Sequence, residues 1–145
     1  VITEAAHVFV EEETVRGIRA AVELYRTTDL RQRLARYHGE KTDTVFSGWA
    51  ETWLSAEFRE WNVESFLPRV ACPLLVIQGA GDRYGTPAQV EAIVRQAAGP
   101  AEAFLVPDCG HVPHQEARER VLPAMARFVA SLEGGGPSAS ALPPG

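Results

Sequence analysis

The sequence predicts an α/β fold, a helical segment followed by strand-helix-strand-helix of a parallel sheet. Three observations predict it. Leu74 to Ile77 is an unbroken apolar run that Gln78-Gly79-Ala80-Gly81 ends at once, as expected of a strand buried on both faces. Thr86-Pro87 then opens a helical pattern, with Thr as the cap and Pro at the first helical position. A second β-prone run, Glu102 to Val106, follows that helix, and strands joined through a helix lie parallel.

The elements follow in order. Val1 to Val10 holds a β-prone fragment, His7-Val8-Phe9-Val10, and is read as a remnant strand. Glu11, Glu12 and Glu13 suit the start of a helix, because acids there complement its dipole. That helix runs to about Arg26, with Val15, Ile18, Val22 and Tyr25 on one face. Asp29 is placed to cap a second helix, Leu30 to His38, with Leu34 and Tyr37 inward. Gly39 punctuates, and Thr42 or Asp43 caps a third helix carrying Trp49 and Trp53. Val63 to Val70 is a short helical connector, stopped by Ala71-Cys72-Pro73. The helix after Pro87 ends near Ala97, before Gly99-Pro100. A last helix spans roughly Gln115 to Leu132, with Val121, Leu122, Met125, Phe128 and Val129 inward. Pro123 inside it predicts a kink or a late start. Residues 133–145, rich in Gly, Pro, Ser and Ala, are expected to form a flexible tail. The resulting division is 1–10, 11–70, 71–132 and 133–145.

Composition narrows the function. With 46% hydrophobic and 23% charged residues, the 145-residue chain can bury a core. A net charge of -5 supplies no basic footprint for nucleic acid. No apolar run approaches the roughly 20 residues that cross a bilayer, so no membrane is expected. Cys72 and Cys109 are the two cysteines, without CxxC spacing, and point to a reducing cytoplasm. Val1 and the shortage of strands point to a chain cut from something longer. Two strands and a remnant leave an open edge and apolar faces, which other strands or a second copy must cover.

Chemistry gathers after the strands. Asp82 follows the first and His111 the second, 29 residues later. In a parallel sheet both loops leave at one edge, where ligands and chemistry collect. An aspartate accepting the Nδ1 proton of a histidine fixes its tautomer and frees Nε2 as a general base. Alternatively, Asp82 merely satisfies the amides of its own glycine turn. Asp108 and Glu116 are rival acids. His114 lies one turn past His111, and a metal pair or a cap are both open to it. No third ligand stands out, so no metal is assigned. His38 suits a helix C-terminus. Cys109 reads as a small buried residue rather than a nucleophile, and Cys72 as structural.

These stretches resemble the end of an α/β-hydrolase. The features are strand-G-x-G-D, then strand-P-x-C-G-H-x-P-H, then a closing amphipathic helix. QGAGDRYGTPAQ and PDCGHVPHQE are similar to a bacterial subgroup of small-molecule hydrolases, as are HVFVEE and the RYHG…W…WL…EFREWN stretch. The resemblance implies the C-terminal part of that fold, with residues 11–70 as a helical cap. It implies Asp82 as triad acid and His111 as triad base, acting on a small-molecule acyl substrate without a cofactor. The nucleophile's G-x-S-x-G elbow is missing. Ser47, Ser55, Ser65, Ser131, Ser138 and Ser140 do not sit on such an elbow. The chain alone is therefore expected to be inactive, partnered by the missing N-terminal half or by a second copy. A non-enzymatic half-domain that binds through its sheet edge and cap is the alternative. The three tryptophans either fill a helical core, or line an apolar pocket or face a partner. Trp49, Trp53, Tyr84 and His7 are the candidate substrate-binding residues.

Overall fold

The computed structural model describes residues 1–133, and the rest of the expected tail lies outside them. Three parallel strands form one sheet in the order β1-β2-β3: β1 (Ile2–Glu4), β2 (Leu74–Gly79) and β3 (Ala101–Val106). Every residue of β2 is buried. Its alternation sends Leu74 and Val76 to one face and Leu75 and Ile77 to the other. The first pair packs with Val8, Leu67, Val90 and Ile93. The second pair packs with Val106, Cys109, Val121 and Phe128. One strand thus holds two apolar layers together, and the continuous apolar run is its signature.

The first strand is Ile2–Glu4 rather than the more apolar His7–Val10. Ala5, at φ 49°, ends it. Val8 to Val10 is instead committed elsewhere. The Val8 amide donates to Gln89 Oε1 at 2.8 Å, and Gln89 Nε2 donates to the Phe9 carbonyl at 3.0 Å. The Val63 amide donates to the Val8 carbonyl at 2.8 Å. A buried glutamine and the Trp61–Val63 turn take up the backbone groups that a sheet would otherwise use.

Residues 11–70 hold α1 (Glu12–Thr27), α2 (Leu30–His38) and α3 (Thr42–Leu54), followed by two 3₁₀ turns. Val15 and Ile18 are buried on α1, and Tyr25 stacks on Phe46 at 3.8 Å. Tyr37, expected inward, is 84% exposed. The helix ends one residue later, and Gly39, at φ 55°, turns the chain away. Asp43 does not cap α3. Its carboxylate accepts from Tyr25 Oη at 2.6 Å and Arg31 Nε at 2.8 Å, tying all three helices together. Those hydrogen bonds, Arg31's first, bring its pKa to about 2.

Thr86 caps α4 (Pro87–Gln96) as expected, its hydroxyl accepting from the Ala88 amide. The closing segment divides into α5 (Pro113–Glu116) and α6 (Arg118–Glu133). The break falls at Ala117, and α6 passes through Pro123 in its second turn. Leu122 and Val129, expected inward, are exposed. Each stands one residue after a buried one, Val121 or Phe128, and one helix face cannot bury both.

Ile77→Ala should lower unfolding stability by about 2–5 kcal/mol, because it opens a cavity at the centre of β2. Tyr37→Ala should change it by less than about 0.5 kcal/mol. Urea unfolding of both variants checks the contrast.

Candidate active site

Both site loops leave the C-terminal ends of neighbouring strands. Gly79 closes β2, and a Cβ there would collide with the carbonyl oxygens of Gly110 and Cys109. Glycine at this position lets the two loops touch. The Ala80 amide then donates to the Val106 carbonyl at 2.9 Å, and the Gly81 amide to Cys109 at 2.8 Å. Asp108, at φ 52°, turns the second loop back toward the first.

Within this frame His111 Nδ1 lies 2.8 Å from Asp82 Oδ2. The Asp82 side chain is 0% exposed and the His111 ring 40%. Gln78 Nε2 donates to the same Oδ2 at 2.6 Å, and the Tyr84 amide donates to Oδ1 at 2.8 Å. Burial acts most strongly on Asp82 and would raise its pKa. The His111 hydrogen bond, the Tyr84 amide, the His111 charge and Gln78 outweigh it and hold the carboxyl below its usual range. An ionised carboxylate only accepts, so Nδ1 carries the shared proton and Nε2 is left as a base. The asymmetry suits proton transfer, with the acid sealed in the fold and the base at its surface.

Neither rival acid is hydrogen-bonded to His111. Glu116 accepts from the Gly110 amide at 2.7 Å and the Val112 amide at 2.9 Å, bracketing His111 through its two neighbours. Asp108 stands in the exposed turn. Glu4, at the end of β1, accepts from His114 Nδ1 at 2.6 Å and from the His114 amide. Among the described residues no three His, Cys, Asp or Glu cluster as metal ligands.

Aromatic rings lie near His111. The Tyr84 ring is 4.8 Å away, with Trp49 6.3 Å from Tyr84. The His7 ring is 6.3 Å away, backed edge-on by Trp53 at 5.2 Å. Gly85 leaves room for the His7 ring. Burial first, then the charge of His111, lowers the pKa of His7 against the pull of Asp82 and Glu11. Burial first, then the charge of Asp82, raises that of Tyr84. Both rings therefore enter the site uncharged. A cavity of about 330 Å³ opens beside Tyr84, walled by Leu34, Val45, Phe46 and Trp49. Trp53 does not border it. That ring packs with Phe58 and Trp61, so the tryptophans divide between core and cavity.

The helical segment holds the acid loop in place. Glu11 accepts from the Thr86 amide at 2.9 Å and the Thr86 hydroxyl at 2.6 Å, and the Thr14 hydroxyl donates to the Tyr84 carbonyl. Gly17 permits the contact, since a Cβ there would meet the Arg83 carbonyl. Sequence reading missed Gln78 and Glu11 as site residues, and weighed Glu116 as a rival acid where it instead holds the loop amides. For Gln78 a signal existed, a polar residue closing an otherwise apolar strand.

No protein-family model and no curated protein matches the sequence. Solved structures do match. A serine hydrolase involved in carbazole degradation, the CarC enzyme, is 18% identical with a TM-score of 0.63, over 90% of this chain and 53% of that one. The chain has the C-terminal half of an α/β-hydrolase fold. A thermophilic esterase from Thermogutta terrifontis is 22% identical with a TM-score of 0.55, over 90% of this chain and 55% of that one. The 2-hydroxy-6-oxo-6-phenylhexa-2,4-dienoate hydrolase of Rhodococcus sp. strain RHA1 is 15% identical with a TM-score of 0.53, over 90% and 54%. The chain thus spans about half the length of these α/β-hydrolase-fold structures. No helix among the described residues is long and apolar enough to cross a membrane.

The pH dependence of stability tests the Asp82 environment. A carboxyl held below its usual range contributes stability above the unfolded value, about 4. That contribution is lost as pH falls through the lower folded value. Between about pH 5 and pH 2 the stability of Asp82→Asn should therefore fall less steeply than that of the unsubstituted protein. Parallel curves in urea unfolding would contradict the assignment.

Proposed function

We propose that this chain supplies the acid and the base of a Ser-His-Asp relay in an α/β-hydrolase. The enzyme cleaves a small acyl substrate, such as an ester, a lactone, a thioester or an acyl C–C bond. Its serine lies outside these 145 residues. The observation that carries this reading is the 2.8 Å contact from His111 Nδ1 to a buried Asp82, with the rest of the ring facing outward.

The chemistry follows from those atoms. His111 Nε2 takes the proton of the serine hydroxyl as its oxygen attacks the substrate carbonyl. Asp82, already ionised, stabilises the imidazolium that forms. The imidazolium returns the proton to the leaving group, and the same base activates water to release the acyl group. This relay calls for no metal or cofactor.

The described serines support a nucleophile from elsewhere. The Ser47 hydroxyl donates to the Thr44 carbonyl, Ser55 accepts from the Phe58 amide, and Ser131 donates to the Phe128 carbonyl. Cys109 is buried, and burial, then Glu116, pushes its thiol pKa up, which leaves little thiolate. The cavity that shares Tyr84 with His111 favours an apolar or aromatic substituent, held by Trp49 and Tyr84. His7, backed by Trp53, lies 6.3 Å from the His111 ring and is the further candidate for substrate contact. The two free cysteines suit a reducing, cytoplasmic setting.

The purified chain should release no burst of p-nitrophenolate from a p-nitrophenyl ester. In the full enzyme that carries the serine, Asp82→Asn and His111→Ala should each lower kcat by about 10⁴-fold. There, Trp49→Ala should raise KM for an aryl ester more than for a methyl ester. Full activity in His111→Ala would rule the relay out.

A further inference from the structure

We propose that the outer edge of β3 is a homodimer interface, on which a second copy pairs antiparallel about a two-fold axis at Ala103. The inference is independent of the catalytic reading.

The strand stands at one end of the sheet, and β2 covers only its inner side. The carbonyls of Pro100 and Val106 accept from Leu74 and Ala80 on that inner side. Main-chain groups alternate along a strand, so those of Ala101, Ala103 and Leu105 point outward. The strand lacks the usual edge protection. It contains no proline and no lysine, and its one charge, Glu102, alternates away from Ala103 and Leu105.

The face beside this edge is apolar. Ala103 and Leu105, with Pro87, Val90 and Val94 of α4, line a groove of about 340 Å³. Leu105 is 43% exposed. Glu91 and Arg95 form the groove's charged rim, four residues apart on one helical face; neither forms a close ion pair among the described residues, though Arg95 is near enough for its charge to act on Glu64.

These charges identify the partner. A two-fold axis through Ala103 sets Ala101 against Leu105 of the other copy and runs the two α4 helices antiparallel. Glu91 of each copy then faces Arg95 of the other. One acid and one base on a single helix are both matched by a second copy of the same surface. The alanines at the seam let the grooves merge over their leucines, and the two sheets join into one of six strands.

Sedimentation of the full chain at tens of micromolar should give twice 15.8 kDa. Ala103→Pro removes an outward amide only, and should give a monomer that still melts cooperatively, at a temperature that no longer rises with protein concentration. Arg95→Glu should weaken the dimer at least about tenfold, and adding Glu91→Arg to it should restore the affinity. In a Cys72→Ser background, Ala103→Cys should oxidise to a disulfide-linked dimer, because facing Cα atoms in such a pair lie about 5.5 Å apart. Ala101→Cys, which faces leucine, should not. A monomer at every concentration, or a dimer indifferent to Ala103→Pro and to the charge exchange, would overturn the proposal.

Discussion

The site depends on two backbones that meet at Gly79. Neighbouring parallel strands already bring their exit loops to one edge, and close contact between the loops then fixes how their side chains meet. Removing the Cβ at Gly79 lets the Cys109–Gly110 carbonyls lie against the end of β2. The amides of Ala80 and Gly81 then lock the loops together. Once that contact exists, Asp82 and His111 have little freedom left. Each sits a few residues from a main-chain hydrogen bond joining one loop to the other, and their 2.8 Å separation follows. A carboxylate sealed from solvent is tolerable here because its oxygens receive an imidazole N–H, an amide side chain and a backbone amide.

Further carboxylates hold the frame without joining the relay. Glu116 grips the backbone on either side of His111. Glu4 holds His114, joining the end of β1 to the start of α5. Glu11 grips Thr86, beyond the acid loop, from the first turn of the helical segment. Glu11 and Glu116 spend their lone pairs on loop amides and a hydroxyl, Glu4 on the ring and amide of His114, and Asp82 is the carboxylate that faces His111.

The sheet was largely legible because burial on both faces leaves a strong trace. Leu74–Ile77 needed no alternation to be read as a strand, and Thr86-Pro87 marked the next helix by its capping chemistry. Asp82 and His111 were legible through topology, since parallel strands fix where their loops emerge. What failed to show had one physical origin, a dependence on distant residues. His7–Val10 is β-prone, but Gln89, far along the chain, claims its backbone. Asp43 has the residue type of a cap, yet Arg31 and Tyr25 draw it away. Tyr37 has the right spacing on a helix, but no element packs opposite. Glu11 and Glu116 look like surface acids in sequence and acquire their roles only where loops meet.

The charge balance of the site explains why a second histidine can stand beside the first. Asp82 is one buried negative charge, and its field can offset one nearby cation. Two imidazolium rings with centroids 6.3 Å apart would repel each other. His7 is the ring more disposed to stay neutral, because burial weighs most on it and His111 adds to that pressure. His111, not His7, makes the direct hydrogen bond to the carboxylate. The Nδ1 atom of His7 is buried without a hydrogen-bond partner among the described residues. His7 therefore contributes an uncharged polar ring beside His111, and Tyr84, kept protonated, leaves the charge balance unchanged. A cationic ring at His7 would compete with His111 for Asp82, whereas an anionic ring at Tyr84 would meet the like charge of Asp82, so the neutral form of each is the one that leaves the Asp82–His111 contact undisturbed.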